Sequence, residues 1–162
     1  MEDVQVLVKE ANKAFNTADH LTYVTYPLVN DVKLLLTVID NLYLALNYGM
    51  EALLQYDKEY KRIGNIPVKY DDRLVVFKTK VAHRYNIERE HVILLMEINE
   101  LRFMHEKSTV EFERKNKYII CTSDYKTKMI NIEKVKEYME KAKSFIDKVN
   151  KVLPANDRRF SG

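Results

Sequence analysis

Arg84 and His91 are the pair of side chains best suited to acid–base chemistry on RNA. Six residues separate them along the chain. In an RNase that works without a metal, an arginine can stabilise the charge that develops on the phosphorane. A histidine can then exchange a proton with the 2′-hydroxyl or with the leaving oxygen. The pattern therefore predicts Arg84 and His91 as catalytic residues.

A second group of residues suits the binding of single-stranded nucleic acid. Cations and tyrosines are interleaved over residues 114–128. The cations would neutralise phosphates while the tyrosine rings meet bases. Lysines at the edge of a sheet also prevent pairing with another molecule, and that structural explanation stays open. The predicted nucleic-acid contacts are Arg114, Lys115, Lys117, Tyr118, Tyr125, Lys126 and Lys128.

Other chemistries find less support in the sequence. Glu88-x-x-His91 has the spacing of a di-iron carboxylate helix, but such a site needs a second Glu-x-x-His, which the sequence lacks. A four-helix carboxylate metal protein is therefore only a further alternative. Cys121 lies in an apolar segment, which favours a small buried hydrophobe over a reactive thiolate. With three glycines, the chain has no phosphate-binding loop or dinucleotide fingerprint, so we expect no metal and no cofactor.

Length and composition bound the class of protein. The 162 residues are 46% hydrophobic and 31% charged, with three Gly and three Pro, which excludes a disordered, collagen-like or turn-dense all-β chain. One cysteine excludes a disulfide framework, and no apolar run reaches the roughly 18 residues of a membrane span. The acidic start, Met1-Glu2-Asp3, is unlike a signal peptide. We expect a cytoplasmic protein with no membrane association.

The net charge of +3 is unevenly distributed along the chain. Residues 1–60 carry four basic and nine acidic residues, a balance of −5. Residues 61–107 have a balance of +3 and residues 108–162 a balance of +5. This polarity predicts either self-association through opposite faces or an anionic partner for the basic end.

Hydrophobic periodicity predicts five helices that would position these side chains. Pro27 should stop the first helix, Asn30-Asp31 should cap the second, and Asn86 should cap the fourth. The predicted helices span residues 3–25, 31–63, 71–85, 87–107 and 132–152.

The period changes between the last two helices. β-branched and aromatic residues at 118–122, a Ser123-Asp124 turn and a returning segment at 127–130 predict a two-stranded ribbon around 117–130. An extended approach through Val110 and Phe112 would lead into it. The fold class is therefore mainly all-α: a five-helix antiparallel bundle with a small β-ribbon insertion. Residues 1–153 would form one domain, and 154–162 a disordered tail.

The second helix is apolar on several faces. Over residues 31–61, leucines and other apolar side chains fill more than one stripe. It must therefore be covered on several sides, either as the central helix of the bundle or as the seam of a homodimer.

A small all-helical protein with an Arg-x4-6-His signature resembles the HEPN superfamily. That resemblance implies a helical bundle, usually a homodimer, in which Arg84 and His91 would be the catalytic pair of an RNase. Tyr85 departs from the polar residue that usually follows the arginine. Residues 18–27 and 107–112 are also similar to segments of small uncharacterised archaeal proteins.

Two functions follow from the sequence. The first is an HEPN-like helical bundle whose partner is RNA. It would act as a metal-independent RNase or be an inactive relative of one. The alternative is a non-enzymatic interaction module that dimerises or holds a partner through its long apolar helix.

Overall fold

The computed structural model describes residues 2–153; the predicted tail at 154–162 lies outside the described residues. The chain is mainly helical and carries one small antiparallel sheet. In chain order the elements are α1 Glu2–His20, a π-helical turn Leu21–Thr25, α2 Tyr26–Val29, α3 Leu34–Glu59, α4 Tyr70–Val76, a π-helical turn Phe77–Val81, a 3₁₀ turn Ala82–Tyr85, α5 Arg89–Lys107, β1 Ser108–Arg114, β2 Lys117–Thr122, β3 Thr127–Ile130 and α6 Ile132–Val152.

Pro27 does not stop the first helix, so that prediction is wrong. The helical run continues through a π-helical turn into α2, whose first turn contains Pro27. Proline has no N–H to donate, and at the start of a helix none is needed. The run ends at Asn30, which adopts a left-handed backbone with φ 50° and donates its N–H to the Tyr26 carbonyl at 2.8 Å.

Asn30 and Asn86 end helical segments, whereas Asn131 caps the start of α6, where its side chain accepts the Lys134 N–H at 2.8 Å. Asn86, predicted as an N-cap, instead follows the 3₁₀ turn with φ 57°, in the left-handed region that Asn tolerates better than most residues. The N-cap of α5 is Glu88, which forms a capping box with His91. Before α3, the Asp31 carboxylate accepts the Lys33 N–H at 3.0 Å within the preceding turn. The N-cap of α3 is Lys33, without a side-chain capping bond, so the predicted cap at Asn30-Asp31 is wrong.

The long apolar helix α3 is central within the described chain. It packs against α1, α5 and α6, which cover its several apolar faces. Gly49 permits the closest approach to α6, because a Cβ there would stand 2.8 Å from the Phe145 ring. Leu44, at 39%, is its most exposed large apolar side chain.

The β segment is larger than the predicted two-stranded ribbon. It is a three-stranded antiparallel sheet in the order β1-β2-β3, because residues 108–114 pair with β2 instead of merely approaching it. Lys115 and Asn116 join β1 to β2 with φ of 51° and 64°, as a two-residue hairpin of primed type requires. Tyr118, Ile120 and Ile130 bury one face of the sheet against the helical core.

Candidate nucleic-acid interface

Arg84 is paired with a buried carboxylate. It lies on the 3₁₀ turn before α5 and donates to Asp57 of α3, which is 0% exposed. The Tyr85 hydroxyl donates to the other oxygen of Asp57, and Arg62 stands 3.5 Å from it. We call these four residues the Asp57 cluster.

The Asp57 cluster ties the 3₁₀ turn to α3. A carboxylate removed from water is costly unless it is both paired and hydrogen-bonded, and Arg84 and Tyr85 meet these needs. Burial and the hydrogen bond to Asp57 raise the pKa of Tyr85 to about 12, so the phenol keeps its proton and acts as a donor. The guanidinium of Arg84 is therefore engaged within the protein.

His91 is fully buried on the first turn of α5. Its Nδ1 accepts the backbone N–H of Glu88 at 3.0 Å, which assigns the proton to Nε2. Nε2 lies 3.1 Å from Ser144 Oγ and in this tautomer donates to it. Burial and, secondarily, the positive charge of Lys148 lower the pKa of His91, which favours the neutral ring.

The contact between His91 and Ser144 is not a nucleophile–base pair. A general base must accept the serine proton, whereas Nε2 donates in the tautomer that the Glu88 amide selects. Both ring nitrogens are thus occupied. Among residues 2–153, no group of three or more His, Cys, Asp and Glu side chains is placed to hold a metal ion.

Arg84 and His91 belong to separate hydrogen-bond networks. Arg84 donates a hydrogen bond to Asp57 on α3, whereas His91 is hydrogen-bonded to the Glu88 amide and to Ser144 on α6. Their hydrogen bonds have no partner in common. A catalytic role for the pair stays a prediction, and it would require both side chains to leave these partners.

The strand pairing sorts the residues of the sheet into two faces. Alternation along each strand places Tyr118, Ile120 and Ile130 on the buried face. The neighbouring positions point the other way and form what we call the outer face. Its members, by register, are Val110, Phe112, Arg114, Lys117, Ile119, Cys121, Thr127 and Met129.

The outer face combines an apolar row with a pair of cations. Phe112, Ile119 and Met129 are cross-strand neighbours, and Phe112 and Met129 are each 43% exposed. Beside this row, Arg114 is paired in register with Lys117. Within the described strands both acids, Glu111 and Glu113, are on the opposite face, so the outer face carries no carboxylate.

Tyr118 faces inward, which corrects its predicted stacking role. Only 7% of it is exposed, and its hydroxyl donates to Glu111. Burial and this hydrogen bond raise the pKa of Tyr118 to about 12. Burial alone would raise the pKa of Glu111, but donors from Ser108, Tyr118 and His105 outweigh it, so that pKa lies below its usual range. Tyr118 thus anchors the sheet and offers no exposed ring.

The other predicted contacts lie around the rim of the sheet. Lys115 lies in the turn after Arg114, while Tyr125 and Lys126 lie at the other end, in the loop between β2 and β3. Tyr125 is 93% exposed with φ 66°, a costly backbone for an aromatic residue. Lys126 is 3.9 Å from Asp124, and Lys128 lies opposite Ile120, on the side away from the outer face.

Sequence reasoning missed the aromatic ring that the sheet exposes. Phe112 was expected only in an extended approach, and Ile119 and Met129 were assigned no role. The alternation of side chains along a strand could have found them, because Phe112 is two residues from Arg114 and Ile119 is two from Lys117. What hid the signal was the missing assignment of residues 108–114 as a strand.

Comparison with known proteins gives no relative from which to transfer a function. No protein-family model, curated protein or solved structure matches the chain. Over residues 2–153, no helix is both long and apolar enough to cross a membrane.

Proposed function

We propose that the protein binds single-stranded RNA on the outer face of its sheet, which an HEPN-like antiparallel helical bundle supports. The observation that carries the proposal is the apolar row of Phe112, Ile119 and Met129 beside the Arg114–Lys117 pair, on a face without carboxylates. Rings that stack on bases, next to cations that neutralise phosphates, are the two components of such sites.

Cations stand at both ends of this face. Arg114, Lys115 and Lys117 lie at the end formed by the β1–β2 turn, and Lys126 lies near the opposite end. The six residues of β2 span about 17 Å between them. A short stretch of backbone could therefore be held at both ends while its bases lie over the apolar row. Tyr125, exposed beyond the second end, would meet a further base.

A single strand fits this face better than a duplex does. Bases in a helix are stacked on each other and present no free ring faces, whereas a single strand can splay its bases onto a protein ring. The exposed Phe112 and Met129 are useful only to such splayed bases. A duplex would engage the cations alone.

The proposal is one of binding and includes no cleavage step at Arg84 and His91. Arg84 is engaged by Asp57, and His91 is 0% exposed with both ring nitrogens in hydrogen bonds. The first predicted function was a metal-independent RNase or its inactive relative, and this arrangement favours the inactive relative.

Salt dependence of RNA binding tests the proposal. A fluorescently labelled single-stranded RNA of mixed sequence is titrated with protein at several salt concentrations, and the slope of log K against log salt is measured. Replacing both Arg114 and Lys117 with Ala should weaken binding for all sequences and flatten the slope by about 1.4, because two phosphate contacts are lost. Lys9 and Lys13 on α1, both exposed, provide a control double variant with the same change of charge.

Two results would overturn the proposal. One is binding that is absent or independent of salt; the other is an equal loss in the control variant. Sedimentation of the protein alone identifies the alternative function, since a dimer that dissociates when Phe112 is replaced with Glu would assign the apolar row to self-association.

A further inference from the structure

Helix α5 has an exposed apolar stripe. Ile93, Met96 and Phe103 are 40%, 50% and 59% exposed. At 3.6 residues per turn, positions 93, 96 and 103 lie on one side of the helix. The opposite side of α5 is buried against α3 and α6. The stripe is thus an outward apolar surface on a firmly anchored helix.

This stripe is the floor of a groove between α5 and the helical run 70–85. One cavity of about 500 Å³ lies beside α4 and is lined by Leu74, Met96 and Phe103. A second, of about 380 Å³, lies beside the following turns and is lined by Ala82, Ile93 and again Met96. Because Met96 lines both, the cavities are consecutive parts of one groove. Few backbone positions of α4 and α5 come close together, and the two helices meet through the Asn99 amide, which donates to the Tyr70 hydroxyl.

The two ends of the groove carry opposite charge. Lys78, His83 and Arg89 line one end, with no acidic residue among the lining side chains. Asp71, Glu100 and Glu106 line the other. Arg102, the cation at that end, already interacts with Asp40 at 3.6 Å, with Glu106 at 3.9 Å, and with the Tyr43 ring at 4.3 Å.

Within the described part of the chain, no ion pair neutralises Lys78, Arg89, Asp71 or Glu100. A polyanion such as RNA would be repelled by the acidic end. The groove is therefore complementary to a ligand that is apolar along one side and carries opposite charges at its two ends.

We propose that this groove docks an amphipathic helix of a protein partner. The N-terminus of the partner helix, with its positive dipole and basic residues, lies at the Asp71–Glu100 end of the groove. The acidic C-terminus of the partner helix lies at the Lys78–Arg89 end. The bound helix thus runs antiparallel to α5 and parallel to α4. The stripe from Ile93 to Phe103 is about 15 Å long, which matches about three turns. Apolar residues of the partner at i, i+3, i+7 and i+10 would then meet the stripe.

Two stapled peptides of equal helicity test this orientation. Both have about 14 residues with leucines at those four positions; one has lysines in its first turn and glutamates in its last, and the other has these charges exchanged. Fluorescence anisotropy of the labelled peptides with the full protein gives the two affinities. The first peptide should bind at least tenfold more tightly, and added salt should reduce that difference. Equal affinities, or no binding by the first peptide at 100 micromolar or so, would overturn the proposal.

Variants locate the site. Met96→Glu should weaken the first peptide at least tenfold, and because Met96 is half exposed, the thermal melting of the variant is expected to stay close to that of the parent. Glu100→Lys should reverse part of the peptide preference. Phe112→Glu, on the outer face of the sheet, should leave peptide binding unchanged. If Phe112→Glu weakens the peptide as much as Met96→Glu does, the peptide binds the sheet and the groove proposal fails, while the RNA proposal stays separately testable.

Discussion

The Asp57 cluster and the outer face of the sheet use their cations in opposite ways. In the cluster, Arg84 and the Tyr85 hydroxyl both donate to one buried carboxylate. On the outer face, Arg114 and Lys117 stand side by side with no carboxylate on their face. The first arrangement holds α3 to the segment before α5. The second leaves positive charge facing solvent, where a ligand can reach it.

This difference shows that engagement, rather than residue type, separates structural from ligand-binding charges. Removing an engaged side chain should change stability without a specific change in RNA binding. Removing an unengaged one should change RNA binding and leave stability close to its original value. The experiments below therefore measure the stability of the variants, their RNA affinity, or both.

The largest effect on stability is expected from Arg84→Ala. It leaves the carboxylate of Asp57, 0% exposed, with the Tyr85 hydroxyl and with Arg62 at 3.5 Å. Breaking a buried ion pair in this way costs about 3 kcal/mol of unfolding free energy, which urea denaturation would measure. RNA affinity of the folded variant should not change.

Arg62→Ala is the matched control, because it removes a guanidinium from the same cluster. Arg62 is 39% exposed and more distant from the carboxylate, so its loss should be much smaller. Equal losses for the two variants would contradict the structural role of Arg84. RNA cleavage by the parent protein that a still stable Arg84→Ala variant lacks would support the catalytic prediction.

The helical elements were predictable because their cause is local. The apolar stripes that define α5 and α6 repeat every three or four residues, and the structure buries them. Pro27 misled the prediction because whether proline ends a helix depends on the preceding turn, and the π-helical turn at Leu21–Thr25 has no clear sequence signal.

The candidate site was less predictable because it depends on contacts distant in sequence. Arg84 meets Asp57, and His91 meets Ser144, across 27 and 53 residues. A motif of two residues contains no information on such partners. In the sheet, by contrast, composition identified the cations and tyrosines. Only the face on which each side chain lies needed the pairing register, and the inward orientation of Tyr118 is the clearest example.

Phe112→Ala should give the largest change in RNA binding that leaves stability almost unchanged. Loss of one base–aromatic contact is worth about 1 to 3 kcal/mol, which corresponds to roughly 5- to 150-fold in the dissociation constant. Phe112 is 43% exposed, so little packing is lost with it. Anisotropy titration with single-stranded RNA measures the change, and Val110→Ala on the same face controls for a general loss of apolar surface. An unchanged affinity would remove Phe112 from the site.

A smaller effect is expected from pH, through His91. Burial and Lys148 lower its pKa in the folded protein, while Glu88 and Glu90 oppose the shift. The unfolded chain takes up this proton near pH 6.5, so stability is complete above that value and decreases as the pH falls below it. Urea unfolding at pH 7, 6 and 5 should show this decrease.

His91→Asn is the variant that isolates this effect. Its side-chain oxygen can still accept the Glu88 amide but does not titrate in this range. The variant should lose less stability between pH 7 and pH 5 than the parent does. Parallel decreases in the two proteins would assign the pH dependence to other groups.

The smallest effect distinguishes the two faces of the sheet most directly. Tyr118→Phe removes the hydroxyl that donates to Glu111 but keeps the buried ring. Glu111 retains Ser108 and His105 as partners, so the loss of unfolding free energy should be about 1 kcal/mol, and the dissociation constant for RNA should be unchanged. Because the hydroxyl lies on the face opposite Phe112, a tenfold weaker RNA affinity in this variant would mean that RNA contacts the inner face, and the division of the sheet into an anchoring face and a binding face would be wrong.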